Sequence, residues 1–380
     1  MYARTKQLSG AGSYLLFGPR GTGKTLWLRH TFPAAVYVDL LEARTATALL
    51  ADPQRLGERI PAHGADLVIL DEIQRVPDLL NEVHRLIEAR GLRFVLTGSS
   101  PRKLRRGGAN PLAGRALTES FFPLTAAELG TDFSLEKALR HGLLPTLYDS
   151  AKAVDPERYL ATYVETYLRE EIVAEGLTRQ AGAFARFLEA ASFSQGQVMN
   201  VSEVARECAV QRKVVESYFG ILEDLLIGVR LPVFAKHSRR QLVRHPKFYF
   251  FDVGVYRAAR PRGPLDDPAQ IEGAAIETLV FQELRATNQN LGLGYELYYW
   301  RTAGGMEVDF VLYGSRGIVA VEVKRKRRLT GHDLRGLRAF LADYPMAKAY
   351  VLYGGDHPLH VDTITAWPLA DALRQLPDLL

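Results

Sequence analysis

The feature that most constrains the fold is a glycine-rich octapeptide near the start of the chain. Its members are Gly18, Pro19, Arg20, Gly21, Thr22, Gly23, Lys24 and Thr25. An apolar run at 14–17 predicts a strand before it, and residues 26–30 predict the first turns of a helix after it. In this order G-x-x-x-x-G-K-[ST] indicates a phosphate-binding loop, because backbone N–H groups and the helix N-terminus attract an anion. We predict that all eight residues bind ATP, with Lys24 at the β- and γ-phosphates and Thr25 on Mg²⁺.

Two adjacent carboxylates follow the next strongly apolar run. Residues 67–70 form a continuous apolar stretch, which is typical of a strand buried on both faces of a parallel sheet. Ligands of open α/β sheets bind at the carboxyl ends of such strands, where Asp71 and Glu72 stand. We therefore predict that Asp71 anchors Mg²⁺ and that Glu72 orients or deprotonates the water that attacks the γ-phosphate.

A further buried strand, predicted over 93–96, carries hydroxyl groups at its polar end. Thr97 and Ser99 are alternative candidates for a sensor that hydrogen-bonds the γ-phosphate or the lytic water. A strand between the P-loop strand and the Asp71 strand is typical of the additional-strand class of P-loop ATPases. Arg115, after a basic loop, is a candidate arginine finger, acting within its own subunit or on a neighbour. The alternative is a solvated or nucleic-acid-facing loop.

The middle of the chain predicts helices and then a DNA-binding unit. Apolar residues at three- and four-residue spacing predict helices over 136–143, 156–175 and 183–193. Two helices joined by a tight turn then precede two strands, which is a winged helix-turn-helix pattern. The predicted DNA contacts are Gln211, Arg212 and Lys213 at the recognition helix, with Arg239 and Arg240 in the wing. The alternative is a unit that packs against a protein or another domain.

The last third has the residue order of a metal-dependent nuclease core. A helix predicted over 271–285 carries Glu277 among apolar neighbours, where a carboxylate is costly unless it is paired or binds metal. Period-two alternation places Asp309 on one strand of a hairpin, and Glu322 and Lys324 on the next. This is the PD-(D/E)-x-K arrangement. We predict that Asp309 and Glu322 coordinate Mg²⁺, that Lys324 positions or activates the attacking water, and that Glu277 completes the site.

A basic run extends directly from the second strand of that hairpin. It contains Arg325 and Lys326, beside the predicted metal site, where the phosphate backbone of a nucleic acid would lie. Such a run is also common in solvated loops. Both residues are predicted DNA contacts.

Composition bounds the class of protein. The chain has 380 residues, of which 47% are apolar and 24% charged, as in a soluble globular protein of two or three domains. The net charge of +5 is compatible with nucleic acid. Cys208 is the only cysteine, which excludes a disulfide framework and a cysteine-based metal site. No apolar run reaches the ~20 residues that span a membrane, and no secretory h-region is present, so we expect a cytoplasmic protein without a membrane partner.

The ordered motifs GPRGTGKT, LVILDEIQ, FVLTGSS, LAGR, FFPLTAAELG and YYWRTAGGMEVDFVL…VEVK cover nearly the whole chain. With them the chain resembles a large prokaryotic family of AAA-type ATPases that carry a C-terminal domain of unknown function with a restriction-endonuclease-like, resolvase-like fold. The resemblance implies a cytoplasmic ATPase with Lys24, Thr25, Asp71 and Glu72 at the nucleotide. It implies an endonuclease-like site at Glu277, Asp309, Glu322 and Lys324. Met306 departs from the small residue or threonine expected before Glu307, at a position that is no proposed ligand.

The predicted fold class is α/β in four parts. These are a P-loop additional-strand (AAA-type) ATPase domain at 1–124, a helical lid or connector at 125–195, a winged helix-turn-helix at 196–260 and a PD-(D/E)xK-like α/β domain at 261–380. The predicted function is a DNA-directed ATPase, with ATP and Mg²⁺ as cofactors, whose nuclease-like domain contacts or cleaves DNA, including branched DNA. The alternatives are a nucleotide-gated nucleic-acid-binding protein with an inactive nuclease fold, and an ATPase acting on a protein partner. A homo-oligomer is left open.

Overall fold

The computed structural model describes residues 2–8, 10, 12–101, 104, 112–168, 181–236, 240–261, 263–264 and 266–380. Two units are distinguished within the chain. The N-terminal unit contains Lys6–Pro123 together with Asp224–Leu226. The C-terminal unit contains Met1–Thr5, Leu124–Glu223 and Ile227–Leu380. The predicted DNA contact Arg239 lies outside the described residues, as do residues 169–175 of the predicted helix 156–175.

A parallel sheet organises the N-terminal unit. Among the described residues it has the strand order β2-β3-β4-β1-β5, and every neighbouring pair is parallel. Strand β4 therefore lies between the P-loop strand β1 and the Asp71 strand β3, which confirms the predicted order. The strands are β1 Ser13–Phe17, β2 Val36–Asp39, β3 Leu67–Asp71, β4 Arg93–Gly98 and β5 Ala116–Ser120. The helices are α1 Lys24–Thr31, α2 Ala43–Ala51, α3 Arg55–Arg59 and α4 Leu79–Arg90.

Both faces of this sheet are buried, as its continuous apolar strands predict. Successive side chains of a strand point to opposite faces, so one strand supplies two cores. Leu15 and Phe17 pack in one apolar cluster with Leu70 of β3. Tyr14 and Leu16 pack in the other, with Ile69. In the observed register of β1, Phe17 pairs with Gly98 of β4 and Ser120 of β5, directly before the phosphate-binding loop begins.

Helices dominate the first half of the C-terminal unit. Several begin at a side-chain cap: Thr125, Ser134, Asp155, Asn200 and Asp252 each accept a hydrogen bond from a backbone N–H one turn on. The helices are α5 Ala126–Leu129, α6 Leu135–His141, α7 Pro156–Thr162, α8 Ala181–Phe193, α9 Val201–Glu207, α10 Arg212–Asp224, α11 Val253–Ala259, α12 Pro268–Asn290, α13 Arg335–Asp343, α14 Leu369–Arg374 and α15 Leu376–Leu379. Among the described residues, no helix is both long enough and apolar enough to cross a lipid bilayer.

A second sheet organises the rest of this unit. Its strand order within the described residues is β12-β13-β11-β10-β9-β8. Strand β10 pairs antiparallel with β9 and parallel with β11, and β11 pairs parallel with β13. The strands are β8 Glu296–Arg301, β9 Glu307–Gly314, β10 Gly317–Lys324, β11 Lys348–Tyr353, β12 Leu359–Val361 and β13 Ile364–Pro368. The predicted hairpin of Asp309, Glu322 and Lys324 is thus present as β9 and β10.

The two strands of the predicted wing are β6, Gly228–Leu231, and β7, Lys247–Phe250, which pair antiparallel. In the described parts of the segment between them, 232–236 and 240–246, the backbone contacts β8. The backbone N–H of Phe234 donates to the Tyr299 carbonyl at 2.6 Å, and that of Val243 donates to the Arg301 carbonyl at 3.0 Å. The ring of Phe234 is buried in the apolar core of the second sheet. Residues 237–239, within the predicted basic tip, lie outside the described residues, and the wing stays a prediction.

Candidate functional site

The phosphate-binding loop connects β1 to α1 through a backbone that needs glycine. Gly21 and Gly23 have φ of 81° and 90°, a left-handed region that residues with a Cβ rarely adopt. A Cβ at Gly18 would lie 2.3 Å from the Phe121 carbonyl oxygen. The Lys24 ammonium is buried and donates to the Gly18 carbonyl at 2.6 Å and to the Pro19 carbonyl at 3.2 Å. The lysine therefore already lies across the loop that would enclose a phosphate.

Three side chains meet at the carboxyl ends of neighbouring strands, around Asp71. The Thr25 hydroxyl, at the start of α1, donates to Asp71 Oδ2 at 2.7 Å. The Thr97 hydroxyl, at the end of β4, donates to Asp71 Oδ1, and the Tyr37 hydroxyl donates to Asp71 Oδ2. Burial, and secondly the hydrogen bond to Asp71, raises the pKa of Tyr37, so this phenol remains a donor. Asp71 and Thr25 thus form the oxygen pair that the sequence predicts as a Mg²⁺ anchor.

The predicted catalytic carboxylate Glu72 has a strained backbone and a side-chain partner that we did not predict. Its φ is 63°, which is unusual for a residue with a Cβ and recurs at functional sites. Its backbone N–H donates to the Thr97 hydroxyl at 3.2 Å. The Gln74 amide donates to the Glu72 carboxylate and, at 3.2 Å, to Ser99 Oγ. Gln74 stands two residues after Glu72 in the motif LVILDEIQ, so the motif itself contains this partner of Glu72.

Thr97 and Ser99, the alternative sensors, therefore occupy different places. Thr97 is fully buried and connects Asp71 with Glu72. Ser99 contacts Gln74 and reaches Glu72 only through it. Arg115 forms an ion pair at 2.6 Å with Glu88 of α4. The role of Arg115 as an arginine finger stays a prediction. Arg20, in the phosphate-binding loop, is exposed.

Two of the predicted nuclease-like residues, Glu277 and Asp309, lie around a lysine that sequence reasoning did not place there. Lys247, the first residue of β7, is 2% exposed. Its ammonium lies 2.5 Å from Glu307 Oε1, 3.6 Å from Glu277 Oε2 and 4.0 Å from Asp309 Oδ1. We call Lys247, Glu277, Glu307 and Asp309 the lysine–carboxylate cluster. The sequence contains one indication of this position: alternation along β7 puts Lys247 and Tyr249 on one face.

The cluster is held by contacts on every side. The Tyr249 hydroxyl donates to Glu277 Oε2 at 3.0 Å, and the backbone N–H of Val323 donates to Asp309 Oδ2 at 2.8 Å. The Tyr249 ring stacks on Phe281 with centroids 4.5 Å apart. Burial alone would lower the pKa of Lys247, but Tyr249, Glu277, Asp309 and Glu307 raise it well above its usual value. The ammonium therefore stays charged.

Glu322 and Lys324 lie next to the cluster on β10. The Lys324 ammonium contacts Glu322 Oε1. Burial, then the Asp309 charge, raises the pKa of Glu322 well above its usual value. Among the described residues, Glu322 Oε2 is buried without a hydrogen-bond partner. The structure therefore brings all four predicted residues of this site into one region.

A divalent cation does not fit this arrangement as it stands. Within the part of the chain that the structure describes, no three His, Cys, Asp or Glu side chains are grouped so as to hold a metal ion. The carboxylates are suitable ligands for Mg²⁺. However, the Lys247 ammonium lies among Glu277, Glu307 and Asp309, and coordination of Mg²⁺ by Asp309 and Glu322 stays a prediction.

The predicted DNA contacts are placed on the surface with one exception among those described. Gln211, Arg212 and Lys213 are exposed around the start of α10, and Arg212 pairs with Glu216 at 3.3 Å. Arg325 and Lys326 are exposed, and Lys326 pairs with Asp333 at 2.8 Å. Arg240 is only partly exposed and pairs at 2.8 Å with Asp343 of α13. Each role in DNA binding stays a prediction.

Three family models match consecutive parts of the chain. Residues 11–130 match the AAA domain, residues 132–266 match a domain of unknown function (DUF8612), and residues 272–372 match another (DUF4143). The first match coincides with the parallel sheet and the P-loop. The N-terminal part of this chain is therefore an AAA-type ATPase domain. No curated protein matches the chain.

Solved structures give weaker likenesses over long stretches. The chain is similar to the ORC1 protein of Aeropyrum pernix in complex with DNA, at 16% identity and a TM-score of 0.26, covering 70% of this chain and 86% of that one. It is similar to a Vibrio cholerae protein at 13% identity and a TM-score of 0.22, covering 97% of each. It is similar to the DNA clamp loader delta protein of Bacillus subtilis at 15% identity and a TM-score of 0.21, covering 74% of this chain and 95% of that one. Likeness at this level assigns no partner to the chain.

Proposed function

We propose that this chain binds and hydrolyses ATP with Mg²⁺. The observation that carries the proposal is the convergence of the Thr25 and Thr97 hydroxyls on Asp71, directly beyond a glycine-rich loop with no room for a Cβ at Gly18. An oxygen pair from a P-loop threonine and a strand-end aspartate suits Mg²⁺. The loop and the helix N-terminus suit the phosphates.

Each residue of this site has a proposed role. A bound Mg²⁺ would neutralise charge on the phosphates, and Thr25 and Asp71 would hold it. Lys24, which donates to loop carbonyls in this structure, would turn those donors to phosphate oxygens. Glu72 would orient a water, because Gln74 and Thr97 fix its side chain and its backbone.

Two substitutions separate binding from chemistry. Lys24→Ala should abolish both nucleotide binding and turnover, because it removes the phosphate cation. Glu72→Gln should keep binding but lower turnover by about 10²–10⁴-fold, the range for loss of a general base. The measurements are phosphate release and titration with a fluorescent ATP analogue, with the exposed Lys152→Ala as the matched control. Turnover at the control level in Lys24→Ala would show that this site is not an ATPase site.

We propose DNA as the partner to which hydrolysis is directed. The support is a pair of exposed basic segments in the C-terminal unit, at 211–213 and at 325–328. The presence of Lys247 among the carboxylates favours a domain that contacts DNA over one that cleaves it. Hydrolysis would then drive remodelling of DNA or permit contact with branched DNA.

A panel of single-stranded, duplex and junction DNA tests this second proposal. Turnover should rise with at least one of these DNAs. Nicking with Mg²⁺ should be absent in both the unaltered chain and Asp309→Ala. Turnover that no DNA changes would favour a protein partner for the ATPase. Nicking that disappears in Asp309→Ala would instead establish an active nuclease site.

A further inference from the structure

Lys247 carries a charge into a region that is otherwise costly for it. Burial of an ammonium costs several kcal/mol of lost hydration, and attraction to nearby carboxylates can offset this cost. Here Glu307, Glu277 and Asp309 do so, all within 4.0 Å of the Lys247 nitrogen. Lys324 compensates for Glu322 on the next strand. Two ammonium groups therefore supply the two positive charges that one divalent cation would bring.

The position of Lys247 is fixed by the backbone on both sides of it. Segment 195–199 runs beside β7: the Gly196 N–H donates to the Phe248 carbonyl at 2.8 Å, and the Met199 N–H donates to the Pro246 carbonyl at 2.9 Å. The Gln195 side chain accepts from the Phe250 N–H at 2.9 Å. Tyr249, two residues on, donates to the same carboxylate of Glu277 that Lys247 contacts. The lysine is thus built into the cluster by strand, loop and aromatic packing together.

We infer that the Lys247 ammonium is the resident cation of the lysine–carboxylate cluster and excludes a divalent metal ion from it. This inference concerns the C-terminal unit alone and does not depend on ATP turnover. Removal of the lysine should therefore convert the cluster into a divalent-cation site.

The test uses the full chain without nucleotide, with Mn²⁺ as the probe in electron paramagnetic resonance and Mg²⁺ in titration calorimetry. Lys247→Met keeps an unbranched side chain that is one atom shorter and removes its charge. It should bind one Mn²⁺ at least about tenfold more tightly than the unaltered chain, because carboxylates without a counter-ion favour a metal. Mg²⁺ should raise the Tm of the variant and leave that of the unaltered chain unchanged.

A second variant serves in case Lys247→Met alone fails to fold. Lys247→Met with Glu307→Gln removes one charge of each sign, so the cluster keeps its net charge and two carboxylates, Glu277 and Asp309, for a metal. It should also gain one Mn²⁺ site, and adding Asp309→Asn should remove that site. The matched control is Lys348→Met, an exposed lysine on β11.

Three outcomes would overturn the inference. The first is equal Mn²⁺ affinity at Asp309 in the unaltered chain and in Lys247→Met. The second is absence of binding in every Lys247 variant that folds. The third is gained binding that survives Asp309→Asn. Because nucleotide is absent throughout, a failure here is distinct from a failure of the ATPase proposal, which is measured as turnover.

Discussion

At the scale of the residue, the Thr97 hydroxyl has two functions that a sequence cannot separate. It donates to Asp71 and accepts from the Glu72 backbone N–H, so it connects the proposed metal anchor to the proposed catalytic carboxylate. It is fully buried, and water cannot replace it. Of the two sensor candidates, Thr97 is therefore the one whose removal would disturb the most.

Thr97→Val should lower ATP turnover by about 10–100-fold, since a hydrogen bond to a charged group is worth about 1.5–3 kcal/mol. Affinity for an ATP analogue should change much less, because the loop residues that would bind phosphate are intact. The free energy of unfolding should fall by about 1–3 kcal/mol, the cost of an unsatisfied backbone N–H at Glu72. Turnover assays and urea unfolding measure the two effects.

Thr97→Ser is the control, because it keeps the hydroxyl and loses only a methyl group. It should retain most of the turnover. If Thr97→Ser and Thr97→Val were equally impaired, packing of the methyl group and not the hydroxyl would be responsible. Ser99→Ala should have the smaller effect of the two sensor positions, since Ser99 contacts Glu72 only through Gln74.

The residues around the P-loop could be predicted to meet, and Lys247 could not. Thr25, Asp71 and Thr97 each stand at the end of a predicted parallel strand or the start of the following helix, where the topology brings them together. Lys247 reaches its cluster from a strand that belongs to a different predicted domain. Alternation indicated the face of β7 on which Lys247 lies, but nothing in the sequence identified the elements packed against that face.

At the scale of the element, segment 195–199 holds β7 in place through a glycine. Gly196 has φ of 68°, and a Cβ there would lie 3.1 Å from Glu277 Oε2 and 3.6 Å from the Tyr249 ring. This single residue thus connects the turn before α9 with the acidic side chain of α12. A Cβ would press on the carboxylate that pairs with Lys247.

Gly196→Ala should lower the free energy of unfolding of the C-terminal unit by about 1–3 kcal/mol, the cost of an alanine held at positive φ. Urea unfolding followed by tryptophan fluorescence measures this change. Gly273→Ala in α12 is the matched control, because a Cβ there meets nothing within 4 Å. It should stabilise the protein by about 0.5–1 kcal/mol. A Gly196→Ala variant as stable as the control would contradict this account of β7.

Individual strands and hairpins were predicted better than the contacts that they make with the rest of the chain. The strand order of the first sheet was expected from its likeness to the additional-strand class of P-loop ATPases. The hairpin of β9 and β10 and the paired strands β6 and β7 follow from period and turn residues. The position of the segment between β6 and β7 does not, because it depends on Phe234, whose burial against Phe340 and Tyr344 is a contact of long sequence separation. A basic loop with a few apolar residues is compatible with a free wing and with a docked segment.

At the scale of the whole molecule, the division of the chain into units depends on contacts between segments that are distant in sequence. The boundary predicted at 124 stays a prediction; the N-terminal unit contains Lys6–Pro123. It also includes Asp224–Leu226, a distant segment in which the Asp224 carbonyl accepts from Ser100 Oγ at 2.7 Å and Leu226 packs on the apolar core. Three residues carry too little pattern to be assigned from sequence. The boundaries predicted at 195 and 260 stay predictions.

Charge is the property of the whole molecule on which the proposed DNA contact depends. The net charge is +5, and the basic run after β10 presents Arg325, Arg327 and Arg328 as exposed side chains, whereas Lys326 pairs with Asp333. If these three arginines contact phosphates, their replacement by glutamine removes up to three released counter-ions. The slope of log K against log salt concentration for duplex DNA should then become less negative by about 2–3, at roughly 0.9 per contact.

The control for this last prediction has the same change in net charge at other exposed positions of the C-terminal unit: Lys152, Arg158 and Lys348 replaced by glutamine. If DNA responds only to the overall charge, both triple variants should bind equally weakly and with equal salt slopes. If it lies along the basic run, the control should keep the slope of the unaltered chain, because unscreened attraction extends only about a Debye length of ~8 Å at physiological salt. Fluorescence anisotropy, measured at salt concentrations from about 50 to about 200 mM, distinguishes these results. Equal slopes for the two variants would remove the basic run from the proposed DNA contact and leave the exposed residues 211–213 as the surface to test.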